Sequence, residues 1–329
     1  MLYLLNDISS DDASYLHERA RSLTDKVFGR KIYIRGLIEF SNYCSRNCVY
    51  CGIRKDNKKV QRYRLSEEEI LKVCSQAHDL GFRTFVLQGG EDYYYHNDKM
   101  VSLVKKMNEL FPDTATTLSI GERDSKIYAD LYKNGANRFL LRHETIDKTR
   151  YGKLHPGMSF DKRMECIQTL RKLNFQTGVG FIIGLPEQKI TDYVDDLMFI
   201  KDFNPHMVGI GPFISHKDTP LGGAENGDVE TTLIMLSIIR LLLPKVLLPS
   251  TTALNTLSKD GSYSGFNAGA NVLMLNLTPS GAREKYNLYE GKTIVDISDG
   301  VGLNVLKEKI EKKGYILDMS RGDYSLGMH

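Results

Sequence analysis

The sequence lacks tryptophan, has few cysteines and carries almost no excess of charge. Its 329 residues include five cysteines, and 44 Lys and Arg against 41 Asp and Glu give a net charge of +3. An odd, sparse set of cysteines excludes a disulfide framework and indicates a reducing compartment, where clustered cysteines more often bind metal. Without a basic excess, the composition gives no electrostatic reason to expect nucleic-acid binding.

Long apolar runs and a targeting segment are also missing. No stretch reaches the roughly 18 uncharged apolar residues of a membrane-spanning helix, and the longest apolar run, 241–248, contains Pro244 and Lys245. The first twenty residues turn acidic too early for a signal peptide. With 41% hydrophobic and 26% charged residues, the chain is typical of a folded protein. We therefore expect a cytoplasmic protein with no membrane partner.

The sequence does have a regular alternation of short apolar runs and amphipathic stretches. Eight runs predict strands at 31–39, 83–87, 115–119, 138–141, 177–183, 207–210, 246–248 and 272–275. Helical patterns lie between them, and the one at 66–80 opens with the capping-box pair Ser66 and Glu69. Eight strand–helix units predict an α/β fold, a closed (β/α)8 barrel of the TIM type, with an open α/β sheet as the alternative.

We expect a single domain over residues 1–329. Residues 1–30 are predicted to form an N-terminal helical extension, and residues 276–329 a C-terminal extension that closes the barrel and ends in a helix near 301–313. In such barrels the chemistry takes place at the C-terminal ends of the strands. Residues directly after the predicted strands are therefore the first candidates for a functional site.

Three of the five cysteines follow the first predicted strand within eight residues, as Cys44, Cys48 and Cys51. Unrelated thiols would rarely fall at this spacing. A structural zinc site needs four ligands, usually as two separated pairs, and no second pair with that spacing follows. Three soft thiolates suit an iron–sulfur cluster, and in a [4Fe–4S] cluster they leave one iron open to a small molecule.

The pattern C-x3-C-x-aromatic-C after the first strand of a barrel resembles the signature of the radical S-adenosylmethionine (SAM) superfamily. Two further motifs resemble that superfamily: Gln88-Gly-Gly-Glu91 follows the second strand, and Gly180-Phe-Ile182-Ile-Gly184-Leu-Pro-Glu187 follows the fifth. The resemblance implies one [4Fe–4S] cluster whose open iron binds SAM. It also implies that an electron from the cluster cleaves SAM to methionine and a 5′-deoxyadenosyl radical, and that Tyr50 packs on the adenine.

Over nearly the whole chain, the sequence resembles the HydE family of [FeFe]-hydrogenase maturases. The blocks that carry this resemblance are 34–44, 51–57, 61–64, 118–122, 141–145, 208–213, 251–253 and 286–289. It implies a role in building the hydrogenase H-cluster, in which the radical attacks a sulfur of a small, iron-bound, cysteine-derived substrate. The implied partners are the maturases HydG and HydF and a low-potential electron donor, flavodoxin or ferredoxin.

Carried over residue by residue, the resemblance implies three groups of site residues. The cluster ligands and catalytic residues are Cys44, Cys48 and Cys51. Contacts to SAM are expected from Tyr50, Gln88, Gly89, Gly90, Glu91, Ser119, Glu144, Arg163, Gly180, Ile182 and Ile210. Contacts to the substrate are expected from Arg142, Met207, Thr251, Thr252, Ala253, Met274, Tyr286 and Tyr289. The residue types suit these roles, because carboxylates bind hydroxyl and ammonium groups and a guanidinium binds a carboxylate.

The remaining cysteines are expected to be small buried residues, and the histidines to be structural or surface residues. Cys74 and Cys166 fall within helical patterns, and His143, His155, His206 and His216 lack the i, i+4 pairing of a zinc helix. No cysteine follows Cys166, which excludes the second cluster that many HydE chains carry near the C-terminus. Five cysteines are also too few for the second cluster that biotin synthase uses as its sulfur source.

Two alternatives stay open. One is an amino-acid-modifying radical SAM enzyme such as methylornithine synthase (PylB), which isomerises lysine. The other is a non-catalytic iron–sulfur carrier, which would account for the three cysteines but not for the Gly-Gly-Glu and strand-five motifs.

Overall fold

A computed structural model describes residues 1–292 and 301–324 and shows a nearly closed barrel of parallel strands. The strands are β1 (Lys31–Ser41), β2 (Thr84–Gly89), β3 (Ala115–Ser119), β4 (Ala136–Leu140), β5 (Gln176–Val179), β6 (Ile182–Ile183), β7 (Met207–Val208), β8 (Gly211–Pro212), β9 (Pro249–Ser250), β10 (Val272–Asn276) and β11 (Ile316–Asp318). Hydrogen bonds order the main sheet as β7-β5-β4-β3-β2-β1-β10-β9. One parallel residue pair, Met207 and Leu247, bridges the seam between β7 and β9. This confirms the predicted α/β barrel.

Helices surround the barrel. They are α1 (Leu2–Asn6), α2 (Ser10–Phe28), α3 (Glu67–Asp79), α4 (Asn97–Leu110), α5 (Ser125–Lys133), α6 (Lys148–Leu154), α7 (Phe160–Lys172), α8 (Ile190–Phe203), α9 (Val229–Leu242), α10 (Thr252–Leu257), α11 (Gly261–Asn267), α12 (Ser280–Arg283) and α13 (Val301–Lys312). Among the described residues, no helix combines the length and the apolar character that crossing a membrane requires. Residues 293–300 and 325–329 of the predicted C-terminal extension lie outside the described residues.

Helix α3 shows why these amphipathic stretches cover the strands. Its buried residues Ile70, Val73, Cys74 and Ala77 recur at the spacing of one helix face, so that face packs on the barrel while the rest meets solvent. The helix begins at the predicted capping box: the Ser66 hydroxyl accepts from the backbone N–H three residues on at 3.1 Å, and the side chain of that residue accepts from the Ser66 N–H at 2.6 Å. The cap satisfies amide donors that the first turn leaves free.

The fifth predicted strand, 177–183, is divided into β5 and β6. The sixth, 207–210, is shortened to β7, and the residues just beyond it form β8, which pairs with β6 in a separate small sheet. The interruption lies at Gly180, where a Cβ atom would be 1.9 Å from the carbonyl oxygen of Gly209. Only glycine permits this close approach of the two backbones. The sequence pattern alone did not show this crossing.

The chain's own C-terminal segment covers the N-terminal end of the barrel. Strand β11 pairs with the start of β1, and residues 320–324 then cross beneath the barrel. The fully buried Arg138 donates to the Arg321 carbonyl at 2.6 Å and to Asp323 Oδ1 at 2.7 Å, and Arg35 donates to the Gly322 carbonyl at 3.0 Å. Neither guanidinium could stay buried without such acceptors. These contacts leave the opposite end of the barrel as the open one.

Candidate active site

The three clustered cysteines lie on the loop that follows β1, at the C-terminal end of the barrel. The Gly-Gly-Glu segment after β2 crosses over this loop, since the Gly90 N–H donates to the Ser41 carbonyl at 3.1 Å and the Ser45 N–H donates to the Glu91 carbonyl at 3.0 Å. A Cβ atom on Gly90 would lie 2.2 Å from the Tyr43 carbonyl oxygen. The absence of a side chain at Gly90 makes room for the backbone of the cysteine loop.

The environment of Cys44, Cys48 and Cys51 fits a metal cluster. All three line one wall of the cavity at this end of the barrel and form no disulfide. Burial raises the pKa of each thiol, that of Cys51 to about 12, so without a cation these sulfurs stay protonated. Bound metal deprotonates such thiols outright. A site for a single metal ion is a different arrangement: among the described residues, no group of three or more Cys, His, Asp or Glu side chains is placed to hold one.

A cavity of about 410 Å³ collects the predicted site residues. It extends from the cysteine loop into the barrel and is lined by every predicted site residue except Gly180, Met207 and Ile210. The roles of the lining residues in binding SAM or substrate stay predictions. Their common location is what a single reaction chamber requires, because both molecules must reach the same radical.

Tyr50 is held in place by a histidine that the sequence offered only as structural. Its hydroxyl lies 2.9 Å from His155 Nε2, and His155 Nδ1 lies 3.0 Å from the Tyr151 carbonyl oxygen. A carbonyl only accepts, so Nδ1 carries the proton and Nε2 accepts from Tyr50. Burial, together with the charge of Arg163, lowers the pKa of His155 to about 3 and keeps the ring neutral. His155 is thus a positioning residue for the Tyr50 ring.

Alternating charges run along the wall beside the cysteine loop. Glu91 accepts from Arg46 Nε at 2.5 Å and from the Glu122 backbone N–H at 3.1 Å. Glu122 in turn accepts from Arg163 Nε at 2.8 Å. The methionine part of SAM carries one ammonium and one carboxylate, and paired carboxylates and guanidiniums suit such a zwitterion. Glu122 and Arg46 were not among the predicted site residues, although Glu122 ends a motif directly after β3 and Arg46 lies between two of the cysteines.

Glu144 stands in a strained turn. It has a positive φ of 65°, and its N–H donates to the Gly180 carbonyl at 2.9 Å. Its Oε2 lies 3.4 Å from Arg142 Nη2, yet this buried atom accepts no hydrogen bond from the described residues. A non-glycine residue in this backbone region is strained, and such strain concentrates at functional sites. The geometry leaves a carboxylate oxygen free for a ligand.

The far end of the cavity combines hydroxyls with a buried ion pair. Thr251 Oγ1 is buried and has no hydrogen-bond partner among the described residues. Lys292 forms an ion pair with Glu39 and donates to the Tyr286 carbonyl at 3.4 Å. Burial raises the pKa of Glu39, and the Lys292 charge opposes that shift. Neither residue of this pair was among the predicted site residues, and the available signal was a lone carboxylate, Glu39, within the apolar strand β1.

Three predicted site residues lie elsewhere. Gly180 is required by its contact with the Gly209 backbone, and Ile210 is 1% exposed within the main hydrophobic core. Met207 packs with Leu247 and Val272 in a separate hydrophobic cluster rather than on the cavity wall. At these three positions, packing against neighbouring residues accounts for the residue type.

The sequence and the structure resemble proteins of known type. Residues 38–200 match the pattern of the Radical SAM superfamily. The chain is 43% identical to the [FeFe] hydrogenase maturase subunit HydE of Thermotoga maritima, over 94% of this chain and 88% of that protein. It is 31% identical to the 3-methylornithine synthase of Methanosarcina acetivorans, over 85% and 79%.

A solved structure gives the same result. The crystal structure of methylornithine synthase (PylB) superposes with a TM-score of 0.82 at 26% identity, covering 96% of this chain and 92% of that one. Members of the matched superfamily use a [4Fe–4S] cluster and SAM, as the cysteine loop and cavity suggest. The chain belongs to the radical SAM superfamily of enzymes.

Proposed function

We propose that this enzyme acts in [FeFe]-hydrogenase maturation as a HydE-type radical SAM enzyme. The observation that carries the proposal is the 43% identity to a HydE maturase subunit, which extends over 94% of the chain and so includes the substrate end of the cavity. The proposed partners are HydG and HydF, with flavodoxin or ferredoxin as the electron donor. The proposal also places the enzyme in the cytoplasm, where its five cysteines stay free.

In this proposal the residues around the cysteine loop bind and orient SAM. Cys44, Cys48 and Cys51 hold the cluster, which supplies the electron that breaks the C5′–sulfonium bond of SAM. Tyr50, fixed by His155, packs on the adenine. The free carboxylate oxygen of Glu144 accepts from SAM, and the charges beside the loop hold the methionine part. Because these groups are fixed before SAM arrives, little reorganisation is needed at the moment of cleavage.

The far end of the cavity would hold the substrate. Arg142 Nε and Thr251 Oγ1 are buried donors without partners among the described residues, and an anionic substrate supplies the acceptors that they lack. Together with Lys292 they suit the carboxylate of a cysteine-derived, iron-bound molecule. The 5′-deoxyadenosyl radical would then attack its sulfur within the same chamber, shielded from water.

Cleavage of SAM provides the test. The reconstituted enzyme, reduced with dithionite, should release 5′-deoxyadenosine from SAM, and Cys48→Ala should lose this activity. Cys166→Ala is the matched control, because that thiol lies in helix α7 and donates to the Arg123 carbonyl, outside the cavity. Maturation of apo-hydrogenase with HydG and HydF then tests the finer assignment. Absence of SAM cleavage with an intact cluster would overturn the enzyme proposal.

A lysine mutase of the methylornithine synthase type is the second candidate. It is favoured by 31% identity to 3-methylornithine synthase over 85% of the chain and by the TM-score of 0.82 to PylB. Lysine decides between the two. If lysine accelerates SAM cleavage and yields a methylornithine, the maturase proposal is wrong; if lysine has no effect while apo-hydrogenase is activated, the mutase is excluded.

A further inference from the structure

The positive charge of the protein is concentrated on the cysteine loop. Residues 44–64 contain seven basic residues and one acidic residue, a net charge of +6, whereas the whole chain carries only +3. The rest of the molecule is therefore net negative. The basic residues are Arg46, Arg54, Lys55, Lys58, Lys59, Arg62 and Arg64. A nearly neutral protein thus presents one strongly cationic segment, and it is the segment that holds the cluster.

Several of these cations are used inside the protein. Arg62 donates to four backbone carbonyls of the loop, among them those of Ile53 at 2.7 Å and Asn57 at 3.2 Å. Arg64 forms two bonds with Asp92, at 2.7 and 3.0 Å. These guanidiniums shape the loop and lie toward the cysteines and the barrel. Contacts within the protein therefore account for this part of the positive charge, and no partner molecule is needed to explain it.

Lys55 and Lys58 have no such use. Both are exposed, and neither forms an ion pair with a described residue. They belong to the same loop, because the Arg54 N–H donates to the Cys51 carbonyl at 3.1 Å and the Lys55 N–H donates to the Arg46 carbonyl at 2.8 Å. The two lysines are therefore exposed to solvent on the same loop whose cysteines line the cavity.

An exposed aromatic residue lies on the segment that is bonded to this loop. Tyr93 is 81% exposed and follows the Gly-Gly-Glu segment, which is bonded to the cysteine loop between Ser45 and Glu91 at 3.0 Å. Its neighbour Tyr94 stacks with Arg64 and Lys99. Tyrosine among cations is the composition of a protein interface, since aromatic and arginine side chains supply most anchoring contacts there.

We propose that Lys55, Lys58 and Tyr93 form the docking surface for an acidic one-electron carrier protein of the flavodoxin or ferredoxin type. The inference rests on the proposed function, because reductive cleavage of SAM takes up one electron. The carrier is oxidised by one electron and the cluster is reduced; the electron then passes to SAM as its C5′–sulfur bond breaks. A carrier protein cannot enter a cavity of about 410 Å³, so the electron has to cross the loop from outside. An acidic face complements the loop and speeds association through long-range attraction.

Charge reversal tests the surface. In Lys55→Glu/Lys58→Glu, the rate of SAM cleavage driven by reduced flavodoxin or reduced ferredoxin should fall at least tenfold at low ionic strength, and most of the loss should be in kcat/KM for the carrier. The rate driven by dithionite should be unchanged. Added salt should slow the carrier-driven rate of the wild type and leave the double variant unaffected. Running both carriers shows which of the two the surface serves.

Lys133→Glu/Lys172→Glu is the matched control. Both lysines are exposed and lie at the ends of α5 and α7, at the opposite end of the barrel, and the change in net charge is the same. Equal carrier-driven rates in the two double variants would overturn the docking surface. Loss of dithionite-driven cleavage in the wild type would instead overturn the proposed function, so the two failures are distinguishable. Cluster content, measured by absorbance, should match in all variants.

Discussion

Buried polar groups at the two ends of the barrel differ in whether the chain supplies their hydrogen-bond partners. At the N-terminal end, the fully buried Arg138 has acceptors on every side, from the Arg321 carbonyl, Asp323 and Gln176. At the C-terminal end, Glu144 Oε2 and Thr251 Oγ1 are buried without a hydrogen-bond partner among the described residues. The Arg138 guanidinium at one end is satisfied by the chain itself, whereas these two cavity-lining oxygens at the other end are not.

The difference separates stability from function. Buried polar groups in folded proteins are nearly always paired, so an unpaired group needs a reason. At the C-terminal end the unpaired atoms line the cavity that also holds the cysteines, and a ligand supplies their partners. In barrels of this type, the C-terminal end carries the chemistry and the N-terminal end carries stability. The predictions below follow from that division.

Glu144→Gln should cause the largest effect. The amide keeps the size of the side chain but removes the negative charge offered to SAM, and loss of one such contact typically reduces turnover about 100-fold. The free energy of unfolding should change by less than about 1 kcal/mol, because the amide keeps the shape of the side chain and Arg142 keeps its bond to the Phe181 carbonyl. Glu187→Gln is the control, since Glu187 also has a positive φ of 62° but its side chain is 80% exposed. A stability loss with normal SAM cleavage would contradict the division between the two ends.

Arg138→Met should show the opposite pattern, a loss of stability with an unchanged rate of SAM cleavage. Removing one partner of a buried ion pair costs about 3–5 kcal/mol; because Asp323 is 38% exposed, we expect about 2–3 kcal/mol. Urea unfolding of the cluster-loaded enzyme measures this, and the rate of SAM cleavage per folded molecule should not change. Arg19→Met, at an exposed position of α2, should stay within about 0.5 kcal/mol of the wild type. A slower cleavage rate in Arg138→Met would show that the two ends are coupled.

Periodicity and cap residues were enough to predict most of the fold. Seven of the eight strand runs and the helix at 66–80 could be located because strand and helix patterns are local, and the Ser66 cap is a contact between residues three apart. The run at 246–248 was placed too early, since β9 begins at Pro249. The missed elements depend on distant contacts. Strand β11 exists only by pairing with β1, nearly 300 residues away, and the division at Gly180 arises from the approach of Gly209.

The site divides in the same way. The cysteine loop could be predicted because its ligands lie within eight residues, and the cavity does collect them. The ion pair of Glu39 and Lys292 could not, because it joins positions 253 residues apart. His155 was assigned a structural role, and only the structure shows that it fixes Tyr50.

The pH dependence of stability should report on His155. Its pKa is lowered from 6.5 to about 3 in the folded protein, so the unfolded chain alone takes up a proton as the pH falls below 6.5. The contribution of the neutral His155 ring to the free energy of unfolding is fully present above pH 6.5 and is lost as the pH falls towards 3. At pH 5.5, about 1.4 kcal/mol of it is lost. His155→Gln, which keeps an acceptor for Tyr50, should lose that much less stability between pH 7.5 and 5.5. Equal losses would show that the ring is protonated in the fold.

Asp323→Asn should have the smallest effect, and it tests the charge interaction at the N-terminal end of the barrel. Although burial opposes it, bonding to Arg321 and the charge of Arg138 lower the pKa of Asp323 from 3.8 to about 2. The carboxylate therefore stabilises the fold above pH 3.8, and the contribution disappears as the pH falls towards 2. Since the side chain is 38% exposed, we expect about 1 kcal/mol at pH 7. The difference between wild type and variant in urea unfolding should shrink between pH 4.5 and 3. A constant difference would mean that shape rather than charge holds the C-terminal segment against the barrel.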